Sequence, residues 1–278
     1  MLVCRSACHR SLPLPDLQII ILALVQGVTE FLPISSSGHL RLIPFITGWS
    51  DQGLMMDIAV HVGSLGAVVV YFRKDVWRVI TGSVGLALFR PDQNTTLALR
   101  VMVACVPTVL AGALIFRIGG DALRTPEIVA WTTIVFGLLL FGADRFGAMT
   151  RGFEDLKLPA ALLIGLAQVL ALIPGVSRSG VTMTAARALG YDRSTAARFS
   201  MLISIPVILG AGVLKGAELL AIGDTRLTID VIVAVVLAFF SALTAVALMM
   251  KWLQSASFTP FVIYRIVLGI VLLGLIYR

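Results

Sequence analysis

Long runs of apolar residues constrain this chain more than any other feature. A helix needs about 20 apolar residues to cross the hydrocarbon core of a bilayer, and six runs close to that length recur along the sequence. They cover residues 56–72, 97–118, 127–144, 199–220, 229–250 and 260–277. Hydrophobic residues make up 58% of the 278 positions and charged residues 13%, so a soluble fold would lack the polar side chains to cover its surface. We therefore predict a single all-α polytopic membrane domain, which excludes a soluble enzyme, a disordered chain and a nucleic-acid-binding protein.

Two further apolar stretches, residues 17–48 and 159–190, are too irregular to be simple spans. Each is interrupted near its middle by Pro, Gly and Ser, at residues 33–38 and 174–180. Such a break at membrane depth frees backbone groups, which then need partners from the protein or from a water-filled cavity. We therefore predict two re-entrant helix–loop–helix hairpins, and an interfacial helix at residues 76–90.

The two broken stretches are related to each other. Gln26 in the first stretch aligns with Gln168 in the second at an offset of 142 positions, close to half the chain. At the same offset the residues Ser35, Ser37 and Gly38 align with Ser177, Ser179 and Gly180. Each half then contains one hairpin and three spans, and because three is odd the second half enters the membrane inverted. We predict a first repeat over residues 17–145 and a second over 159–278, with residues 1–16 as an N-terminal extension that is not a cleaved signal peptide.

The basic residues, which give the chain a net charge of +7, predict its orientation. Loops rich in Lys and Arg face the cytoplasm. The richer set is Arg73, Lys74, Arg78, Arg90, Arg145, Arg151, Lys157, Arg187, Arg193, Arg198 and Lys251, and the sparser set is Arg117, Arg124, Lys215 and Arg226. We therefore predict that residues 72–97 and 145–159 are cytoplasmic and that both termini lie outside. We interpret Arg187, Arg193 and Arg198 as topology charges.

The broken hairpins also carry the candidate chemistry. Ionisable side chains inside membrane segments are functional candidates, and Glu30, His39 and Arg178 lie in the two hairpins. Gln26 lies four residues before Glu30 and therefore on the same helical face. The neighbouring hydroxyls are those of Ser35, Ser36, Ser37, Ser177, Ser179 and Thr182. A guanidinium with hydroxyls and backbone N–H groups suits a phosphate, a carboxylate suits a divalent cation, and a serine or histidine beside them suits a nucleophile.

Structural interpretations of the same residues remain open. Serines in apolar helices often bond to the carbonyl four residues earlier or join helices together. Glu30 and Arg178 could form a structural ion pair. A single histidine such as His39 is more often a hydrogen-bonded structural residue than a catalyst, and we interpret His61 on the first span in that way.

Two long motifs resemble those of a known family. The sequence QGVTEFLPISSSGH at residues 26–39 resembles the (E/Q)GxTEFLPxSSxGH motif of the bacterial undecaprenyl-diphosphate phosphatases, the bacitracin-resistance family. The sequence PGVSRSGVT at residues 174–182 is similar to that family's PGxSRSxxT motif. Residues 198–206 and 258–265 are similar to its stretch after the second motif and to its last span, so the resemblance covers nearly the whole chain from Leu17.

The resemblance implies a hydrolase of the bacterial inner membrane. It would convert undecaprenyl diphosphate to the monophosphate and recycle this lipid carrier for peptidoglycan synthesis, which confers bacitracin resistance. It further implies two inverted repeats with hairpins that meet at the site, a homodimer, and dependence on Mg²⁺ or Ca²⁺. Glu30 matches the second acidic position of the first motif, and Gln26 stands at the first, where many members have Glu. The remaining functional positions are matched by Ser36, His39, Ser177, Arg178 and Thr182.

These residues predict how the diphosphate is hydrolysed, with the identity of the attacking group left open. Arg178 binds the terminal phosphate with help from Ser35, Ser37, Ser177, Ser179 and Thr182. Glu30, assisted by Gln26, holds the cation, and Ser36 is the first choice for the nucleophile with His39 as its base; attack by His39 or by water that His39 activates stays open. A transporter or flippase of a polyprenyl phosphate is the alternative function. The other membrane phosphatase superfamily is excluded, because its SR-x₅-H motif would need His where Thr184 stands.

Overall fold

Helices account for nearly all of the regular structure. The computed structural model describes residues 16–90, 92–118, 125–222 and 225–278, and within these ranges eleven α-helices form and no β-strand does. The helices are α1 (Asp16–Thr29), α2 (Ser36–Thr47), α3 (Gly53–Tyr71), α4 (Arg73–Ala87), α5 (Gln93–Ile118), α6 (Pro126–Phe146), α7 (Leu158–Val169), α8 (Arg178–Ala188), α9 (Arg193–Ile222), α10 (Thr225–Trp252) and α11 (Thr259–Ile276). Short 3₁₀ helices form at Phe153–Asp155 and Leu170–Leu172. The N-terminal extension that we predicted lies almost wholly outside the described residues.

All six predicted spans are helical. Among the described residues, five helices are long and apolar enough to cross a membrane: α3, α5 over Gln93–Ile115, α6, α10 over Leu227–Trp252, and α11. The 30-residue helix α9 occupies the remaining predicted span. Large apolar side chains such as Leu110 and Ile270 are exposed on the outer faces of these helices. Such faces are stable against lipid and not against water, so the chain is a multi-pass membrane protein.

Both predicted hairpins are confirmed as a helix, a break and a second helix. The first break follows α1, and α2 begins at Ser36; the second follows the 3₁₀ turn after α7, and α8 begins at Arg178. The residue before each second helix has a left-handed backbone, with φ of 72° at Ser35 and 71° at Ser177. These two serines are 142 positions apart, which is the offset found in the sequence. Left-handed serines are strained, and such strain concentrates at functional sites.

Each hairpin packs against a helix from the other half of the chain. Helix α1 packs on α10, and α7 packs on α5. Glycines make both approaches close: a Cβ built on Gly27 would lie 2.7 Å from the carbonyl oxygen of Ala238, and one on Gly165 would lie 2.3 Å from that of Ala104. Because any side chain there would collide with the partner backbone, these glycines fix how deeply the hairpins insert.

Charged residues tie several segments together at one end of the bundle. Arg198 at the start of α9 binds both carboxylate oxygens of Asp75 in α4 and lies 3.8 Å above the ring of Phe153. Arg187 at the end of α8 donates to Asp144 Oδ1 at 3.0 Å and to the carbonyl oxygen of Gly147 at 2.9 Å. The segments that carry the richer basic set therefore meet on the same side.

Our interpretation of Arg187 as a simple topology charge is wrong. Its side chain is fully buried and bonds the carboxylate of Asp144 together with several backbone carbonyls near the end of α6. Helix C-termini leave carbonyl groups without partners inside the helix, and Arg187 supplies donors for them. The sequence did not reveal this burial, because these partners of Arg187 lie about 40 positions away in the chain.

Candidate functional site

The tips of the two hairpins meet at an ion pair. Arg178 Nη2 donates to Glu30 Oε1 at 2.8 Å, although the residues are 148 positions apart. Beside this pair, Ser179 Oγ of the second hairpin donates to the carbonyl oxygen of Leu32 in the first at 2.9 Å. The structure therefore brings the predicted carboxylate and guanidinium together at the junction of the two breaks.

The Glu30 carboxylate accepts hydrogen bonds on both oxygens. It is 6% exposed, and Oε2 accepts from Gln26 Nε2 at 2.8 Å and from Ser36 Oγ at 2.5 Å. His61 Nε2 approaches the same oxygen at 3.3 Å. The predicted shared face of Gln26 and Glu30 is confirmed. Donors therefore surround this buried charge, which makes its desolvation tolerable.

The hydroxyl of Ser36 bonds to Glu30 and not to His39. The nitrogens of His39 have other partners: Nδ1 lies 2.7 Å from the carbonyl oxygen of Ser35, and Nε2 lies 2.5 Å from the hydroxyl oxygen of Tyr264. The His39 and Tyr264 rings are stacked with their centroids 5.6 Å apart. In this arrangement the group placed to take a proton from Ser36 is Glu30.

Arg178 has donor capacity that the ion pair does not use. Its Nη1 is buried and has no hydrogen-bond partner within the described part of the chain. The guanidinium also lies 5.8 Å above the ring of Phe31. A buried donor without a partner is expensive, and an anion at the hairpin junction would satisfy it.

The other predicted hydroxyls differ in what they contact. Ser177 Oγ accepts from the Gly180 amide at 3.1 Å and so caps α8. Thr182 Oγ1 bonds to the carbonyl oxygen of Arg178 and to Ser200 Oγ, and is fully buried. Ser35 Oγ is buried without a partner in the described residues, whereas Ser37 is exposed. The hydroxyls of Ser177, Ser179 and Thr182 therefore bond to backbone groups at the hairpin tips and stabilise their conformation.

Two helix N-termini open at the junction. Helix α2 begins at Ser36 and α8 begins at Arg178. The first turn of a helix leaves its N–H groups free and carries a partial positive charge, which together form an anion site. The ends of two such helices beside Arg178 make the junction suitable for a phosphate.

The structure offers oxygen ligands for a cation but no complete cage. Among the described residues, no group of three or more His, Cys, Asp or Glu side chains is placed to hold a metal ion. Gln26 Oε1 is buried without a hydrogen-bond partner in the described residues, beside the Glu30 carboxylate. One carboxylate and one amide oxygen suit Mg²⁺ or Ca²⁺ when phosphate and water supply the remaining ligands.

Sequence reasoning gave no functional role to three residues at this site, of which it had interpreted His61 as structural. His61 contacts Glu30, Tyr264 contacts His39, and Arg265 bonds to backbone carbonyls of both breaks. His61 and Arg265 are ionisable residues within apolar spans, and the rule that selected Glu30 and Arg178 would have selected them as well. That rule does not select Tyr264, because tyrosine is common near the ends of membrane spans.

Comparisons with known proteins agree with the resemblance in the motifs. A sequence model of the family described as bacitracin resistance protein BacA matches residues 19–271. The chain is 52% identical over 261 residues to a Ruegeria pomeroyi protein named undecaprenyl-diphosphatase, covering 93% of this chain and 98% of that one. It is 46% identical over 269 residues to undecaprenyl-diphosphatase 1 of Rhodospirillum rubrum, covering 94% and 95%. A Hahella chejuensis undecaprenyl-diphosphatase is 47% identical over 262 residues, covering 94% and 98%.

Proposed function

The chain belongs to the bacitracin resistance protein BacA family, and we propose that it hydrolyses undecaprenyl diphosphate to undecaprenyl phosphate and inorganic phosphate. This reaction recycles the lipid carrier for peptidoglycan synthesis and confers bacitracin resistance. The observation that carries the proposal is Arg178, which holds Glu30 with one nitrogen and has a second, buried nitrogen without a partner in the described residues. It lies where the N-termini of α2 and α8 and the Ser36 hydroxyl converge.

The terminal phosphate binds at the hairpin tips. The planar guanidinium of Arg178 matches two phosphate oxygens at once, a geometry that a Lys side chain does not reproduce. Backbone N–H groups at the starts of α2 and α8 add donors, and the hydroxyls of Ser35 and Ser37 are close in sequence to the same helix start. These donors stabilise the charge that builds up on the phosphate oxygens during the reaction.

Ser36 attacks the terminal phosphorus, and Glu30 takes its proton across the 2.5 Å hydrogen bond. The bond from the terminal phosphorus to the bridging oxygen breaks, its electron pair stays on that oxygen, and undecaprenyl phosphate leaves. Glu30 passes the proton it took from Ser36 to that leaving oxygen and becomes a carboxylate again. Water then attacks the phosphoserine, and the bond from phosphorus to the Ser36 oxygen breaks. The proton from the water passes through Glu30 to the Ser36 oxygen, and inorganic phosphate is released. As Arg178 turns toward the phosphate it withdraws a cationic donor from Glu30, which leaves that carboxylate freer to accept a proton. His39, oriented by Tyr264, remains the alternative base or nucleophile.

A Mg²⁺ or Ca²⁺ ion bound with the diphosphate would be held by Glu30 and by Oε1 of Gln26. Such an ion supplies positive charge that neutralises the diphosphate.

The polyprenyl tail has a groove beside the site. A cavity of about 590 Å³ opens between α1, α10 and α11, and it is lined by Val28, Leu32, Phe240, Ser241, Thr244, Ala245, Leu248, Met249, Trp252 and Phe261. Val28 and Leu32 lie two residues on either side of Glu30 in the sequence. An apolar chain in this groove would lie along α1 and the first break, the segment of the first hairpin that carries Glu30.

The membrane arrangement that we propose has six spans in two inverted repeats. The matched φ values at Ser35 and Ser177, and the packing of each hairpin on the opposite half, support it. Contacts such as Arg198–Asp75 join the basic segments on one side, which supports a cytoplasmic location for residues 72–97 and 145–159. We further propose the bacterial inner membrane as the location and a homodimer as the assembly. All four basic residues of the opposite side lie outside the side chains that the structure describes.

Phosphate release from a C₅₅ diphosphate tests the function. The purified protein in detergent is expected to release one phosphate per lipid and leave the lipid monophosphate, and EDTA is expected to lower the rate. Glu30→Gln is the inactive control. If the purified protein releases no phosphate and instead moves the lipid across the membrane of liposomes that contain it, the result would support the transporter alternative and overturn the hydrolase.

A further inference from the structure

A second buried arginine lies directly behind the hairpin tips. Arg265 in α11 is fully buried. In the described chain its N–H groups contact five backbone carbonyls: those of Thr133 at 3.0 Å, Pro33 at 3.2 Å, Thr132 at 3.5 Å, Gly175 at 3.1 Å and Val176 at 3.0 Å. All the acceptors described for it are backbone oxygens.

These carbonyls come from three separate segments. Pro33 belongs to the first break, Gly175 and Val176 belong to the second, and the remaining two are in α6. Broken helices leave carbonyl groups without helical partners, and lipid offers no substitute for them. A single guanidinium therefore supplies donors to both breaks and fastens them to α6.

The contacts are close to the residues that we assign to the reaction. Pro33 is three residues before Ser36 and also three after Glu30, while Val176 is two residues before Arg178. A shift of Arg265 is thus transmitted over a few rigid backbone bonds to both halves of the site. The fork of five N–H donors suits this task, because the ammonium of Lys has three donors on one atom and cannot reach all the acceptors.

We propose that Arg265 is a positioning residue that sets the distance between the Glu30–Ser36 side of the site and Arg178. The inference rests on the proposed hydrolase function, since it assigns Arg265 a task in that reaction. Misplacing reacting groups by about 1 Å can lower a rate by about 10²-fold. Arg265 itself does not touch the phosphate, and it acts through the two breaks.

Arg187 is a matched control for Arg265. It is also fully buried and also bonds several backbone carbonyls, but it lies at the end of α8, away from the tips. Arg187→Lys and Arg265→Lys both keep the positive charge and remove N–H donors from buried backbone carbonyls, although Arg187 also donates to the carboxylate of Asp144. A purely structural role for Arg265 predicts the same outcome for both: a lower melting temperature and an unchanged kcat per folded molecule.

A pair of glycines in α6 provides a second, milder comparison. A Cβ on Gly137 would lie 3.2 Å from Cβ of Arg265 and 3.5 Å from its Nε, whereas a Cβ on Gly142 would meet nothing within 4 Å. The added methyl group of Gly137→Ala therefore crowds the Arg265 side chain, which must move to accommodate it. Gly142→Ala adds the same methyl group without that contact.

The test measures kcat, KM and melting temperature for all four variants, with the wild-type protein in the same assay. We expect Arg265→Lys to lower kcat about 100-fold with a smaller change in KM, at a melting temperature no lower than that of Arg187→Lys. Arg187→Lys and Gly142→Ala are expected to keep kcat, and Gly137→Ala is expected to lower it. Wild-type kcat in folded Arg265→Lys overturns the inference; if that variant does not fold, wild-type kcat in Gly137→Ala overturns it.

A distance measurement separates this inference from the proposed function. Spin labels are attached to cysteines placed at Ser37 in the first hairpin and Leu170 in the second, both exposed positions, in a background without the native cysteines. Arg265→Lys is expected to shift or broaden the distance distribution between the labels, and Arg187→Lys is expected to leave it unchanged. An unchanged distribution in Arg265→Lys overturns the positioning role whether or not the wild-type protein hydrolyses the lipid, while absence of wild-type hydrolysis contradicts the proposed function alone.

Discussion

Ser36 donates its hydroxyl hydrogen to Glu30 across 2.5 Å, and this contact joins the start of α2 to the end of α1 within one hairpin. The serine thus has an acceptor already in place, while Arg178 from the other hairpin binds the opposite oxygen of the same carboxylate. The proposed nucleophile, Ser36, and the proposed phosphate-binding residue, Arg178, therefore both contact the proposed base, Glu30. Each of these roles makes a separate prediction.

Ser36→Ala is expected to lower kcat by orders of magnitude, because no covalent route remains. Ser37→Ala is the comparison variant: Ser37 is the exposed neighbour and contributes only a phosphate donor in this account, so its loss is expected to lower kcat less than the loss of Ser36. Rapid quenching of the wild-type reaction should also yield phosphoserine at Ser36 by mass spectrometry. A loss below about tenfold in Ser36→Ala would assign this serine to phosphate binding and make His39 or water the attacking group.

Glu30→Gln is expected to abolish turnover, because the amide neither accepts the Ser36 proton nor binds a cation as a carboxylate does. Gln26→Glu should be tolerated and should lower the Mg²⁺ concentration needed for half-maximal rate, since it adds a charged oxygen ligand. Titration of Mg²⁺ into EDTA-treated protein measures both effects. Near-normal turnover of Glu30→Gln with unchanged Mg²⁺ dependence would be incompatible with both roles of Glu30.

Tyr264→Phe removes one hydroxyl and keeps the ring that stacks on His39. A hydrogen bond contributes about 0.5–1.5 kcal/mol net, so we expect kcat to fall by up to about tenfold if His39 takes part in catalysis. The test is informative because the folded protein keeps the stacking contact. If His39→Ala lowers kcat strongly while Tyr264→Phe has no effect, the orientation of His39 does not depend on this hydroxyl.

The secondary structure was largely predictable, because it follows from local properties of the chain. The length of the apolar runs predicted α3, α5, α6 and α9–α11, and the Pro-, Gly- and Ser-rich breaks predicted both hairpins. Gln26 and Glu30 could be paired because four residues span one helical turn.

The rest of the site depends on tertiary contacts that no local pattern carries. His39 and Tyr264 are 225 positions apart, and Arg265 meets Pro33 over 232 positions. Ser36 pairs with Glu30 instead of His39 because the break turns the serine back toward α1. That turn depends on the left-handed backbone at Ser35, which a serine rarely adopts.

The orientation in the membrane makes its own prediction. Single cysteines placed in residues 72–97 and 145–159, in a background without Cys4, Cys8 and Cys105, are expected to resist an impermeant thiol reagent added from the periplasm and to react after the membrane is opened. The contacts of Arg198 with Asp75 predict that both segments behave alike. Labelling of both segments from the periplasm would contradict the predicted orientation and indicate the opposite one.

The ion pair between Arg178 and Glu30 has a competing structural interpretation. If its only role were stability, Arg178→Ala would leave a buried carboxylate without its partner and would destabilise the protein. Adding Glu30→Ala to that variant would then recover the melting temperature in detergent. The phosphate-binding role predicts no such recovery of the melting temperature, and a recovery in the double variant would overturn that role.

Hydrolysis of the C₅₅ diphosphate by Arg178→Lys tests the central claim most directly. Lysine keeps the positive charge and can still reach toward Glu30, but it cannot bind two phosphate oxygens in one plane. We predict a folded protein with a near-wild-type melting temperature that loses most of its activity, mainly in kcat, because the bidentate contact strengthens as charge builds up in the transition state. Full hydrolytic activity in folded Arg178→Lys would contradict the role of this arginine in binding the reacting phosphate.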